Sequence, residues 1–200
     1  MQLFKRFVIF FTGIFIITFG VSLTIKANIG TGAWDALHVG LYESVGLTVG
    51  RWLMITGTCL MLLNAFLLKE KPQFLALGTI FVIGMFIDFW LLFVFSEWTP
   101  SGQIVKLIVL LCGIIILSFG VALYLQAKFP VNPIDQLMIA IHKRFKVTLM
   151  AAKTIGEVFG LSLALLVGGP IGIGTLIITF TIGPLVGFFF PLVEKWTKMQ

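Results

Sequence analysis

Charge is scarce in this chain. Only 11% of its 200 residues are Asp, Glu, Lys or Arg, 59% are hydrophobic, and mean hydropathy is +1.11. Soluble domains carry about 25% charged residues. The shortage excludes a separate soluble domain and points to a core built against lipid. Cysteine is nearly absent too: Cys59 and Cys112 both lie inside apolar runs, with no Cys or His nearby at metal-ligand spacing. They are expected as small packing residues without a disulfide. HExxH, GxSxG and a P-loop with its Lys are missing, so neither enzymatic activity nor a cofactor is expected. An embedded aspartyl enzyme needs two facing carboxylates, and nothing in the sequence brings Asp88 against Glu157.

What the chain has in quantity is apolar runs long enough to cross a hydrocarbon core of about 30 Å, which takes about 20 helical residues. Six spans are read at Phe7–Ile25, Trp52–Leu68, Phe74–Phe95, Ile104–Leu125, Leu149–Val167 and Ile171–Val193. The first follows Lys5 and Arg6 as a signal peptide would, but it is too long and lacks a good cleavage site, so a retained span is expected. Trp34, Trp52, Trp98 and Trp196 fall near span ends, where indole prefers the interface. With both termini inside, eleven of the 14 Lys and Arg face the cytoplasm and only Lys26, Arg51 and Lys106 face out, the bias that sets orientation. The net charge of +6 then suits anionic headgroups rather than nucleic acid.

Two short segments are neither spans nor simple loops. Ala33–Val45 sets Trp34, Leu37, Leu41 and Val45 on one helical face; Pro133–Lys146 does so with Ile134, Leu137, Met138, Ile141 and Phe145. Each is too short to cross, and a helix lying in the interface or dipping in re-entrantly is expected. The segments are also related. ANIGTGAWDAL at 27–37 recurs as AKFPVNPIDQL at 127–137, and at an offset of 100 eleven of the 36 positions from 13 to 48 are identical. Gly13/Gly113, Phe19-Gly20-Val21 with its counterpart at 119–121, Asp35/Asp135 and Thr48/Thr148 are among them. Three spans per half is an odd number, so the second half enters from the opposite side. The expected architecture is all-α and polytopic, a single membrane domain over 1–200. It is built of two inverted three-helix repeats, about 7–95 and 104–195, each with one short helix.

The candidate site residues are the acids that this arrangement buries. Asp88 lies deep in the third span with no basic residue within four positions, and Glu157 lies in the fifth with Lys153 one turn earlier. Charges at such depth usually face a bundle interior or a wet cavity. The bland reading of Lys153–Glu157 is a structural ion pair. Asp35 and Asp135 have a bland reading as well, since Asn132-Pro133-Ile134-Asp135 is a helix-start box and Gly32-Ala33-Trp34-Asp35 a weaker copy. Asp88 and Glu157 therefore rank above the motif aspartates as proton or substrate groups. Gly30-Thr31-Gly32 is a weak candidate anion nest, which Pro130-Val131-Asn132 cannot copy. Asn64 is explained by an interhelical hydrogen bond, and His38 and His142 by headgroup contact. Gly156-xxx-Gly160 and Gly183-xxx-Gly187 would allow close helix approach, and Pro184 would kink the last span.

The G-x-G-x-W-D-x-L motif of Gly30, Gly32, Trp34, Asp35 and Leu37, with Thr48 and Gly50 downstream, resembles that of the YitT/YczE-type bacterial integral membrane proteins. Ala33 stands where that family usually has Pro. The resemblance covers nearly the whole chain and implies a multi-pass protein of the bacterial plasma membrane, without an assigned activity. The expected function is a carrier for a small solute, coupled to protons or cations. The alternatives are an accessory protein acting on a partner, or the substrate-binding subunit of a multi-protein importer. Lipid and a small solute are the expected partners, with a homo-oligomer or a protein partner left open.

Overall fold

The computed structural model describes residues 2–129 and 132–197. Pro130 and Val131 of the anion-nest comparison, and Lys198 of the basic count, lie outside the described residues. Within them the chain is all-helical, with no strand. The helices are α1 (Gln2–Ala27), α2 (Ala33–Val45), α3 (Val49–Leu68), α4 (Leu75–Phe89), α5 (Gln103–Gln126), α6 (Pro133–Phe145), α7 (Leu149–Leu166) and α8 (Ile173–Thr197); a π-helical turn, Trp90–Val94, extends α4. Six stretches, based on α1, α3, α4 with its π turn, α5, α7 and α8, are long and apolar enough to cross a membrane. Their outer faces carry large apolar side chains; Phe66 is 79% exposed and Leu166 is 82% exposed. Such exposure would be costly in water and is favourable in acyl chains.

The helix ends follow local chemistry. Thr48 and Thr148, equivalent in the repeat, cap α3 and α7 by accepting hydrogen bonds from Arg51 N and Ala151 N, each at 3.2 Å. Asn132 caps α6 from Ile134 N, with Pro133 as its first residue, where the missing N–H costs nothing. Asn28 and Lys128, again equivalent, take left-handed φ values of 50° and 53° just past α1 and α5.

The chain divides into two compact units that do not follow its two halves. The first holds residues 1–32, 86–129 and 170–200, with α1, α5, α8 and the π turn; the second holds 33–85 and 130–169, with α2, α3, most of α4, α6 and α7.

In the first unit α1 packs against α5, and α5 against α8. The α1–α5 crossing is tight because glycines form it. A Cβ on Gly20 would lie 2.6 Å from Leu117 N, and one on Gly120 would lie 2.7 Å from Ile17 N. Gly13 meets the Tyr124 backbone and Gly113 meets Thr24. Numbers rise along one helix as they fall along the other, so the two run antiparallel, and each contact recurs with the roles of the helices exchanged. Lys5 Nζ donates to Thr197 O at 2.6 Å, while Arg6 donates to Ala127 O and Lys128 O. The start of α1 and the end of α8 therefore sit together at one end of this unit. Around the π turn, Trp90 Nε1 donates to Thr18 Oγ1 at 3.2 Å and the ring packs on Phe15 and Phe19.

In the second unit α2 packs on α7 and α6 on α3, while α2 also meets α3 and α6 meets α7. Each short helix thus packs on the following long helix of its own half and on the matching helix of the other half. The first two turns of α2 are buried on nearly every face, from Ala33 to Gly40, with Asp35 half-buried. A helix lying flat in an interface would keep one face wet. In contrast, α6 is buried at Pro133, Leu137, Ala140 and Ile141 and exposed at Lys143, Arg144 and Phe145.

Two packing expectations need correction. Cys59 and Cys112 are free thiols but exposed, so they line outer faces instead of filling a core. Gly183 and Gly187 have nothing within 4 Å of a built Cβ, so no described residue uses that pair as a crossing, whereas Gly160 lies under the Trp34 ring with its Cβ position 2.9 Å away. Pro184 and Pro191 both lie inside a continuous α8.

Candidate functional site

The second unit brings four of the five candidate charged residues into one electrostatic neighbourhood. Asp35 enters from the first turn of α2 and Asp135 from the first turn of α6, where the positive end of the helix dipole favours a carboxylate. Lys153 and Glu157 stand one turn apart on α7, which both short helices touch. Their ion pair measures 2.8 Å; Lys153 is half-exposed and Glu157 is 24% exposed.

These groups sense one another. The Asp35 carboxyl is pushed up from 3.8 to about 7, first by burial and then by the negative charge of Glu157. Asp135 is also raised, first by burial; Lys153 opposes the shift and Glu157 adds to it. Burial alone penalises the charged form of an acid, and a second carboxylate adds repulsion. The group carries three acids against one lysine. Near neutral pH Asp35 is close to half-protonated, so it can accept or release a proton without large cost. No group of three or more His, Cys, Asp or Glu among the described residues is arranged to hold a metal ion.

Asp88, the other leading candidate, belongs to the first unit, half-buried on the last turn of α4 before the π turn. Gly30 does not frame an anion nest. Its φ is +103°, its Cβ position lies 2.6 Å from Gly172 N, and the neighbouring Thr31 N donates to Pro170 O at 3.2 Å. Glycine is needed there because the loop before α2 crosses the loop before α8 backbone to backbone. Gly32 is half-buried. Trp34 is buried against Gly160, with its ring 6.2 Å from that of Phe159.

His38 does not meet the headgroups as its place in the sequence suggests. His38 is only 1% exposed, and its Nε2 lies 2.7 Å from Thr56 Oγ1, whose own hydroxyl reaches Trp52 O at 2.9 Å. The Thr56 proton is thereby committed, so His38 donates from Nε2 and leaves Nδ1 as a buried acceptor, without a partner in the structure. Burial drives its pKa from 6.5 down to about 3, which keeps the ring neutral. The signal in the sequence was its position, one turn after Asp35 on the same helix. His142 turns back to Val147 O at 2.6 Å and closes the C-terminal end of α6. Asn64 makes the expected interhelical bond, Nδ2 to Pro133 O at 2.9 Å.

Residues 4–191 match the family described as a family of unknown function, DUF6198. The chain is similar to the uncharacterized protein YyaS of Bacillus subtilis, at 40% identity over 92% of this chain and 91% of that one. It is similar to the uncharacterized membrane protein YczE of the same organism, at 33% over 95% and 87%, which bears out the YczE-type resemblance. An uncharacterized protein of Haemophilus influenzae is 28% identical over 90% of this chain and 81% of its own. No solved structure matches the chain.

Proposed function

Because the chain belongs to the DUF6198 family, whose function is unknown, kinship supplies no activity, and we propose from its own geometry that it is a carrier for a small solute, coupled to protons or cations. It is an integral membrane protein, and we read it as one of the bacterial plasma membrane with both termini cytoplasmic. The observation that carries the proposal is the convergence of Asp35, Asp135 and Glu157 with Lys153, three acids and one base held by α2, α6 and α7. Ionisable groups inside a membrane protein are expensive and usually mark ion or substrate paths.

Two features support an inverted repeat beneath it. The glycine contacts of α1 and α5 recur with the helices exchanged, and α2 packs on α7 as α6 packs on α3. Short interrupted helices meeting between related halves are how many secondary carriers build a site. The bond from Lys5 to Thr197 supports termini on one side, and the excess of Lys and Arg on that side supports the cytoplasm.

The test is proton movement in proteoliposomes loaded with a pH dye and challenged with gradients of inorganic and organic cations, amino acids and small acids. The reading expects at least one gradient to drive proton flux that is lost on Glu157→Gln or Asp35→Asn and kept on Lys195→Gln. Folded protein that gives no flux with any gradient, or equal flux in all variants, would refute it.

A further inference from the structure

We propose that the hollow between the C-terminal end of α3, the loop 69–74 and the first turn of α6 is a binding site for a primary ammonium group. Asn64 is 3% exposed. Its Nδ2 donates to Pro133 O, and a carbonyl can only accept, so the amide orientation is fixed and Oδ1 faces away from that bond. Oδ1 is buried without a partner in the structure. A buried acceptor left unmet is unfavourable and calls for a donor. Asn64 lines a cavity of about 20 Å³ together with Gln136, Glu70, Lys71 and Gln73.

The size and the polarity select the occupant. A hollow with so little room favours a small –NH3⁺ head over a bulkier trimethylammonium head. An ammonium offers three donors and no acceptor, which suits an amide oxygen and the Glu70 carboxylate. Glu70 and Lys71 are both exposed at the mouth, and Lys71 beside the carboxylate suits an anionic group carried on the same ligand. The ligand class is therefore a zwitterion with a primary amine, of the aminoethyl phosphate kind.

The feature is peculiar to this half. Ala164 and Ala36 stand, at an offset of 100, where Asn64 and Gln136 stand here, and the Ala36 carbonyl is covered by Gly169. None of the residues named here belongs to the carboxylate cluster, so the site holds or fails independently of the carrier reading.

Two sources carry such a head group, an aminophospholipid and a free solute, and the experiment separates them. The full chain in nanodiscs of phosphatidylcholine is titrated with phosphatidylethanolamine and read by native mass spectrometry. In parallel, detergent-solubilised protein is titrated with phosphoethanolamine and with phosphocholine and read by thermal shift. The ethanolamine form binds and its choline analogue does not. Asn64→Leu weakens binding about tenfold or more, the loss of one charge-assisted hydrogen bond, and Glu70→Gln, on an exposed loop, weakens it in a folded protein. Saturation by the lipid alone assigns the site to the bilayer, and a shift with the free head group assigns it to a solute. Equal response to ethanolamine and choline forms, or binding unchanged in both variants, means that the chamber holds water only and overturns the proposal.

Discussion

Removing the Asp35 carboxylate should change how stability depends on pH more than it changes stability itself. Asp35 titrates near 7 in the fold against 3.8 ordinarily. Between those values the native state keeps a proton that the unfolded chain has lost, so stability falls as pH rises from about 4 to about 7 and is level above. At about 1.4 kcal/mol per unit the full effect is about 4 kcal/mol at most. His38 works in the opposite sense. Its pKa falls from 6.5 to about 3, so its contribution is complete above 6.5 and is lost as pH drops through that window. In the native protein the two slopes oppose each other, with the raised Asp135 adding to the side of Asp35. Asp35→Asn removes one of them. The variant should match the parent below about pH 4 and exceed it by up to about 4 kcal/mol near pH 8. Reversible denaturant unfolding in mild detergent, followed by tryptophan fluorescence across that range, measures the difference. Glu157→Gln should move the same transition to lower pH, because it removes the second cause of the shift. A gap between Asp35→Asn and parent that stays constant with pH would refute the assignment of a buried, near-neutral carboxyl.

Other consequences are simpler to check. Gly20→Ala and Gly120→Ala drive a methyl into the facing backbone and should each cost about 1–3 kcal/mol by overpacking, whereas Gly183→Ala, in open space, should be neutral or gain up to about 1 kcal/mol of helix propensity; titration into denaturing detergent ranks the three. Thr48→Ala and Thr148→Ala each remove a capping oxygen and should lower stability by about 1 kcal/mol, measured in the same assay. Reporter fusions at the two ends should both read as cytoplasmic, and opposite readings would break the assignment of six crossings.

The elements were legible because their signals are local. α2 was expected at Ala33–Val45 and is found there, and α6 stops one residue before the expected end. Caps, prolines and apolar period do not depend on what lies across the bundle. The sequence similarity of the two halves was visible for a related reason: glycine and aspartate identities at a fixed offset are not produced by apolar bias, and Gly13, Gly20, Gly113 and Gly120 all lie in the α1–α5 crossing. Burial of a single polar side chain was not legible. His38 and Cys59 lie in equally apolar contexts, yet one is sealed against Thr56 and the other is exposed. Which face of a helix meets protein and which meets lipid is decided by neighbours far away in sequence. For the same reason Gly30 read as a nest when it is a backbone crossing. The coupling of Asp35 and Asp135 to Glu157 was also out of reach, since it needs three helices assembled.

The second unit is not evenly built, and the unevenness bears on how a carrier of this design would work. Where α7 ends and α2 begins, the backbone is closed by glycine: a Cβ on Gly40 would lie 2.7 Å from Gly169 N, and Gly169 itself covers the Ala36 carbonyl. Where α3 ends and α6 begins, Asn64 and Gln136 stand where the other half has Ala164 and Ala36, and a small polar hollow remains. Those glycine contacts are close van der Waals approaches between polar but uncharged backbone groups, so separating them leaves no buried charge unmet. A polar hollow needs an occupant to close without penalty. The first junction is thus closed by packing, whereas the second leaves Asn64 Oδ1 unmet, and in the proposed carrier the second is the one expected to respond to a ligand. The acids lie on the helices that join these two ends, where a proton taken up by Asp35 alters the charge that α2 presents to α7.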